Sequence, residues 1–273
     1  MHHLGDVLAR RKAAGEASLL VYAMAGSVPE ERFLSVVDAL CEAGVTGLEL
    51  GFPFSDPMAE GPVIQRAASE ALRGGYHWAD LLRLLRACAE RLPCAVMTYL
   101  NPIVQRGEAR AIGEIAEAGG SALILPDLPV EGLRPFREAR RGHRVDTVLL
   151  ASPATQEDRL ATLVQKSEGF LYLVSRYGTT GLGGGDTPST QGREGDLAPL
   201  LERAHAIRPK LPVLVGFGVR SADDVLRHRR AGADGVIVGS AVQALLSDGR
   251  PVAEVVERVR PLIEALPAKL SPA

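Results

Sequence analysis

Cysteine is scarce in this sequence, with three residues in 273, at positions 41, 88 and 94. An odd number of cysteines without metal-ligand spacing indicates neither a disulfide framework nor a zinc site. The chain also lacks a run of about 18 apolar residues, which a membrane helix would need, and its N-terminal stretch has no apolar signal core. We therefore expect a soluble, cytoplasmic protein with reduced cysteines.

A strong excess of charge is missing as well, since the formal net charge is −2 at pH 7. This balance gives no electrostatic reason to expect nucleic acid or an anionic membrane as a partner. With 273 residues, of which 46% are hydrophobic, the chain is long enough for one large core. We predict a single domain over residues 1–273.

What the chain does contain is a series of short, continuous apolar runs, typical of strands that are covered on both faces. Eight such runs begin at Ser18, Val45, Cys94, Ala122, Asp146, Phe170, Pro212 and Gly235. Amphipathic stretches of helical period lie between them, and several end in glycine. The eight repeats predict an α/β fold, a (β/α)8 TIM barrel with an extra N-terminal helix. An open doubly wound sheet is the alternative.

Two connections are longer than the others, and they follow the second and the sixth predicted strand. In a barrel, the loops at the C-terminal ends of the strands form the active-site face. The first long loop contains Glu60. The second, "RYGTTGLGGGDTPSTQGREGD" from Arg176, is rich in Gly, Ser and Thr. We predict that it is a mobile lid, and the alternative is a disordered surface insertion.

Lysine and histidine are missing from the positions where barrel enzymes use them. None of the four lysines, at positions 12, 166, 210 and 269, lies in a predicted strand, so a Schiff-base mechanism has no obvious nucleophile. None of the six histidines is at a strand C-terminus, which argues against a His-rich metal site. We therefore expect neither a metal nor another cofactor, and we predict acid–base chemistry by carboxylates.

Three acidic residues are candidates for that chemistry. Glu49 lies inside the second apolar run, where an acid is costly unless it is used. Glu60 follows in the first long loop. Asp127 ends the fourth run, and it either takes part in catalysis or holds the first long loop; we favour the second role.

Two glycine-rich turns follow the seventh and eighth runs, in "GFGVRSADDV" and "GSAVQALL". Gly216, Gly218 and Gly239 allow the backbone to approach a ligand closely. Ser221 is a candidate N-cap, and the helices after these strands present free N–H groups to an anion. Because barrels often bind phosphate at this place, we predict a phosphorylated small-molecule substrate; tight turns without a ligand are the alternative.

The stretch "LELGFPFSDPMAEGPVIQ" from Leu48 resembles the second strand and following loop of the tryptophan synthase alpha subunit family. "MTYLNP", "PDLPVEG", "YLVSRYGTTG", "GFGV" and "GADGVIVGSA" are similar to later motifs of that family, in the same order. The resemblance implies a (β/α)8 lyase that splits indole-3-glycerol phosphate into indole and glyceraldehyde 3-phosphate, in tryptophan biosynthesis.

The resemblance also implies roles for individual residues. Glu49 matches the catalytic acid, and Glu60 stands where the family has a second catalytic carboxylate. The substrate-binding positions are Tyr22, Tyr99, Asp127, Tyr172, Phe217, the lid residues Thr180 and Gly181, and the phosphate-binding residues Gly218, Gly239 and Ser240. Asp56 and Pro57 match the loop that faces a tryptophan synthase beta subunit.

Three positions depart from the family pattern. Glu60 replaces an aspartate, Ser27 replaces the aspartate after the first strand, and Val63 replaces a threonine. Two alternatives to the lyase therefore stay open. One is a relative that acts on another phosphorylated substrate in a specialised pathway, and the other is a non-catalytic subunit that activates a beta-type partner.

Overall fold

The computed structural model describes residues 3–175 and 197–266. In these residues, eight parallel strands follow one another in chain order and close into a barrel, with the first strand paired to the last. The strands are β1 (Ser18–Met24), β2 (Gly47–Gly51), β3 (Cys94–Met97), β4 (Gly120–Ile124), β5 (Asp146–Ala151), β6 (Leu171–Val174), β7 (Val213–Gly216) and β8 (Gly235–Val238). The predicted (β/α)8 barrel is confirmed.

Helices surround the barrel. In the described ranges they are α1 (Leu4–Ala13), α2 (Glu30–Glu42), α3 (Pro62–Arg73), α4 (Trp78–Ala89), α5 (Leu100–Arg106), α6 (Glu108–Glu117), α7 (Leu133–Ala139), α8 (Glu157–Lys166), α9 (Ala198–Ile207), α10 (Ala222–Arg230), α11 (Ser240–Ser247) and α12 (Val252–Glu264). The extra N-terminal helix is α1. Its Leu4 and Leu8 pack with the residues of the barrel interior, and the Leu4 N–H donates to Ser121 Oγ at 3.0 Å. Helix α1 therefore closes the N-terminal end of the barrel.

The alternation of side chains along each strand divides the core into two parts. In β1, Leu19 and Val21 pack toward the helices, whereas Leu20 and Tyr22 belong to the barrel interior. Strand β2 pairs in parallel with β1, and Glu49 lies opposite Tyr22. Glu49 therefore points into the barrel, among apolar side chains.

Two strands are shorter than their apolar runs. Strand β3 ends at Met97, and α5 begins at Leu100. Strand β4 ends at Ile124, two residues before Pro126, which cannot donate a ladder hydrogen bond. Asp127 therefore lies in the turn after β4 rather than at the end of the strand.

The long connection after β2 is mostly helical. Residues 52–61 form its loop, and then α3 and α4 both precede β3. Much of the extra length that the sequence suggested for this loop is therefore an additional helix. The connection after β6 covers residues 175–197, so the predicted lid, with Thr180 and Gly181, lies outside the described residues.

Candidate active site

A cavity of about 410 Å³ opens among the segments that follow β2, β7 and β8. The predicted site residues in its lining are Tyr22, Glu49, Glu60, Tyr172, Phe217, Gly218, Gly239 and Ser240. Tyr99 and Asp127 are not part of this lining, but Tyr99 contacts its residue Glu60. The cavity is at the C-terminal end of the barrel, where βα loops can supply residues from several strands.

Glu49 is buried in the wall of this cavity, with 1% of its surface exposed. Neither oxygen of its carboxyl group has a hydrogen-bond partner in the described part of the chain. Burial raises the pKa of Glu49 to about 8, and the charge of Glu60 contributes to the same shift. At neutral pH, Glu49 therefore holds a proton that it can give to a ligand in the cavity.

Glu60 is the last residue but one before α3, and only 4% of its surface is exposed. Burial raises its pKa, while hydrogen bonds from the Tyr99 hydroxyl and from backbone N–H groups act in the opposite direction. These donors stabilise the carboxylate form of Glu60, whereas Glu49 has none. The two acids are thus placed in different environments, as an acid–base pair requires.

Tyr99 holds the Glu60 carboxylate in place by a hydrogen bond. Its hydroxyl donates to Glu60 Oε2 and accepts a hydrogen bond from the Ala59 N–H at 2.8 Å. The next residue, Leu100, donates its N–H to both carboxylate oxygens of Asp127, at 2.9 and 3.0 Å. Asp127 therefore fixes the start of α5 and acts on Glu60 through Tyr99. The predicted role of Asp127 in holding the loop after β2 stays a prediction, and its hydrogen bonds in the structure go to the start of α5.

Aromatic rings form one wall of the cavity. Tyr172 and Phe217 meet edge to face, with 5.6 Å between ring centroids. Burial raises the pKa of both Tyr22 and Tyr172 well above the usual value, so both hydroxyls stay protonated. Phe217 is the one described non-glycine residue with positive φ, at 61°. A strained backbone at such a place indicates a functional constraint, and a wall of aromatic rings suits an aromatic ligand.

Two glycines make room for the tyrosines of this wall. A Cβ on Gly51 would lie 2.7 Å from Tyr22 Cζ, and one on Gly216 would lie 2.6 Å from Tyr172 Cζ. Gly51 was not singled out from the sequence, because nothing local distinguishes it from other strand-end glycines. Gly216 was attributed to a close backbone approach by a ligand, and the structure shows an internal reason for its missing side chain.

We expect Gly51→Ala to lower activity by about tenfold or more without unfolding the protein, because the Tyr22 ring must move into the cavity and a shift of about 1 Å is already costly. Gly74→Ala is the matched control. Its Cβ would lie no closer than 3.4 Å to a neighbour, and its φ is −73°. Steady-state kinetics and thermal unfolding of both variants test this. Full activity in Gly51→Ala would show that the position of Tyr22 is unimportant.

The two glycine-rich turns differ in whether the residues with free N–H groups line the cavity. Ser221 is the N-cap of α10, as predicted, and its Oγ accepts from the Asp224 N–H at 3.2 Å. Asp224 Oδ2 accepts in return from the N–H groups of Arg220 and Ser221, at 2.8 and 3.0 Å. The capping occupies three N–H groups of this turn, whereas those of Ala222 and Asp223 have no partner in the described residues, so part of the expectation of free donors stands. Neither Ala222 nor Asp223 lines the cavity.

Helix α11 has its free donors in residues that line the cavity. Its N-cap, Gly239, has no side chain, and the Gly239 carbonyl accepts from Val242 and Gln243. Within the described residues, the N–H groups of Ser240 and Ala241 have no partner, and both residues line the cavity. An anion fits best at the N-terminus of α11, with the turn at Gly218 beside it.

Two of the departures from the family pattern have local explanations. The Ser27 hydroxyl donates to the Met24 carbonyl at 2.7 Å and closes the turn after β1. Val63 lies in the first turn of α3 and adds an apolar surface to the cavity lining.

Further lining residues were missed by the sequence analysis. Met97 and Ile237 could have been found from strand alternation, since both belong to the barrel interior. Arg220 and Arg258 also line the cavity. Arg258 lies on α12, and no local sequence pattern indicates that a residue of this helix reaches the cavity. Within residues 3–175 and 197–266, no group of three His, Cys, Asp or Glu side chains could hold a metal ion. No helix in these ranges is long and apolar enough to cross a membrane.

Comparison with known proteins places these features in context. The family model described as "Tryptophan synthase alpha chain" matches residues 8–266. The curated tryptophan synthase alpha chain of Streptomyces avermitilis is 40% identical over 262 residues, which is 95% of this chain and 91% of that one. Tryptophan synthase of Mycobacterium tuberculosis is similar in structure, with a TM-score of 0.83 and 33% identity over 96% of this chain and 97% of that chain. The tryptophan synthase complex of Pyrococcus furiosus gives a TM-score of 0.78 and 32% identity, covering 91% and 98%.

Proposed function

The chain belongs to the tryptophan synthase alpha chain family and is an indole-3-glycerol phosphate lyase, and we propose that Glu49 and Glu60 carry out its acid–base chemistry. The observation that carries this proposal is the environment of Glu49. Its carboxyl group is buried in the cavity, has no hydrogen-bond partner among the described residues, and has a pKa raised to about 8. A carboxyl group in this state is a proton donor at neutral pH.

The proposed reaction needs one proton to be added to the indole ring and one to be removed from the glycerol side chain. Glu49 donates a proton to indole C3, and the ring carbon becomes tetrahedral. The resulting Glu49 carboxylate takes the proton of the neighbouring glycerol hydroxyl, a carbonyl forms, and the C–C bond breaks. The bond electrons return to the indole ring, so that indole and glyceraldehyde 3-phosphate leave and Glu49 is protonated again. No water, metal or redox cofactor enters this balance.

Glu60 has a different part in the proposal. Protonation of C3 places positive charge on the ring nitrogen, and a carboxylate that accepts the indole N–H stabilises that charge. Glu60 lines the same cavity as Glu49, and Tyr99 fixes one of its oxygens. The hydrogen bonds to Glu60 favour its ionised form, which is the form this role requires.

Indole release from indole-3-glycerol phosphate by the purified protein tests the lyase directly. We expect release without added metal or cofactor. An inactive protein that still activated a beta chain would instead support the non-catalytic alternative. Activity on a different phosphorylated substrate only would support the specialised relative.

We also propose that a tryptophan synthase beta subunit binds at the loop after β2. The similar protein of Pyrococcus furiosus was solved as a tryptophan synthase complex. In this chain Asp56 is exposed, and Met58 is 64% exposed beside it and beside the half-buried Pro57. A large apolar side chain exposed to this degree fits a protein interface. The loop also contains Glu60, so a partner bound here would lie beside the cavity.

Met58→Asp should therefore weaken the complex with a beta chain by at least about tenfold, since a buried contact would become an unpaired charge. Ile207→Asp is the matched control, because Ile207 is also exposed, at 37%, and lies at the C-terminal end of α9 on the opposite side of the barrel. Co-elution with a beta chain and titration followed by fluorescence measure the affinity of both variants for that chain. Equal affinities for the two variants would place the partner elsewhere.

We further infer a cytoplasmic location. All three cysteines lie in the described residues and none forms a disulfide, which fits a reducing compartment. Fractionation of the source cells tests this, and recovery from an extracellular fraction would contradict it.

A further inference from the structure

Two arginines enter the cavity from different elements of the fold. Arg220 follows the turn at Gly218, immediately before the N-cap of α10, and Arg258 lies on α12. Helix α12 packs against both α10 and α11. Arg258 therefore lies on a helix that packs against α11, and it shares the cavity lining with the free N–H groups of Ser240 and Ala241.

Neither of these guanidinium groups has a counter-charge within the described residues. Other arginines nearby do, since Arg227 pairs with Asp224 at 2.8 Å and Arg250 pairs with Glu254 at 2.7 Å. Among the described residues, the acids in the cavity lining are Glu49 and Glu60, and Tyr99 already binds the second of these.

Among the described residues of the lining, positive charge therefore dominates this end of the cavity, although the Asp224 carboxylate accepts from the Arg220 N–H beside it. The N-terminus of α11 carries a partial positive charge, and two full positive charges line the same cavity. These positive charges repel one another until an anion is bound. A phosphate dianion would satisfy the free N–H groups and the guanidinium groups together.

We infer that Arg220 and Arg258 bind the phosphate group of the substrate, as charged ligands that add to the backbone N–H groups of Gly218, Ser240 and Ala241. This inference rests on the proposed function, because it assigns the phosphate subsite of that reaction. Both side chains are exposed, so solvent screens each contact and each contributes a modest share of the affinity. Their effect falls on binding of the phosphorylated substrate and leaves the acid–base step unchanged.

The reverse reaction, in which indole and glyceraldehyde 3-phosphate condense, separates an effect on phosphate binding from an effect on the acid–base step. Arg220→Gln and Arg258→Gln should each raise the KM for glyceraldehyde 3-phosphate by about threefold, and the double variant by about tenfold. The KM for indole and kcat should change by less than about twofold, because neither arginine is assigned to the indole or to the proton transfer. Added salt should raise the wild-type KM for the aldehyde phosphate more than that of the double variant.

Arg260→Gln is the matched control. Arg260 is exposed on the same helix as Arg258, two residues further on, and is not part of the cavity lining. If the wild type is active and the double variant has the same KM for glyceraldehyde 3-phosphate as Arg260→Gln, the inference is overturned while the lyase stands. A rise in the KM for indole of equal size would also overturn it, because the arginines would then affect the whole cavity.

A second measurement tests anion binding without relying on enzymatic activity. Inorganic phosphate should raise the Tm of the wild type and of Arg260→Gln, compared with chloride at equal ionic strength, and should raise that of the double variant less. An inactive wild type with this pattern would refute the proposed function and keep the anion site. Equal phosphate stabilisation of all three proteins would refute the arginine site itself.

Discussion

Glu49→Gln lowers kcat for indole-3-glycerol phosphate cleavage by at least about 10²-fold, since general acid–base groups typically contribute 10²–10⁴-fold. The amide has nearly the same shape as the protonated carboxyl group but has no proton to exchange. Because Glu49 has no hydrogen-bond partner in the described residues, the substitution breaks no such contact with them. Single-turnover release of indole measures the chemical step. A variant that kept more than about a hundredth of the wild-type rate would show that Glu49 is not the acid–base group.

The same substitution should stabilise the fold. The pKa of Glu49 rises from 4.5, its ordinary value, to about 8 in the folded protein, because burial disfavours the charge. Between these two values the folded state binds more protons than the unfolded state, so the free energy of unfolding falls as pH rises from about 4.5 toward about 8. Glutamine does not titrate and removes this loss. We expect the free energy of unfolding of the variant to be higher than that of the wild type by on the order of a few kcal/mol at pH 8. Near pH 4.5 the two free energies should be equal.

Urea unfolding of both proteins across this pH range measures the difference. A constant difference would mean that Glu49 titrates normally in the folded protein. The rate should report the same group, with kcat/KM of the wild type falling above about pH 8 as Glu49 loses its proton.

Glu60→Asp lowers kcat by about 10²-fold, although it restores the residue that the family pattern has at this position. The loop of this protein already places the longer side chain so that Tyr99 binds its carboxylate and the group lines the cavity. Removing one methylene would retract the carboxylate by about 1–1.5 Å and break the contact with Tyr99, and displacements of about 1 Å can cost this much in rate. Steady-state kinetics with indole-3-glycerol phosphate measure the loss.

Glu70→Asp is the control for this change, because Glu70 is exposed near the end of α3, the helix that follows Glu60. It should leave kcat unchanged. An increase of tenfold or more in Glu60→Asp, equal to about 1.4 kcal/mol of barrier, would support a relative specialised for another substrate. No change at all would remove Glu60 from the chemistry.

Several features of this protein could be predicted from local sequence patterns. The continuous apolar runs predicted eight buried parallel strands, since a strand covered on both faces needs apolar residues at every position. The acid inside the second run indicated a functional residue for the same reason, and Glu49 does lie inside the barrel. Ser221 with Asp224 is a capping pattern that is complete within four residues, and it forms as expected.

Other features were decided by the tertiary structure. The partner of Asp127 is the N–H of Leu100, and this contact exists only because β3 ends early and lies beside β4. Both α10 and α11 keep free N–H groups in the first turn, but among the described residues only those of α11 belong to the cavity lining, although the two turns look alike in the sequence. Arg258 shares a cavity with Glu49 although 209 positions separate them in the chain. Barrel closure joins β1 to β8 and sets the register of every strand, so it brings residues together by geometry that no local pattern encodes.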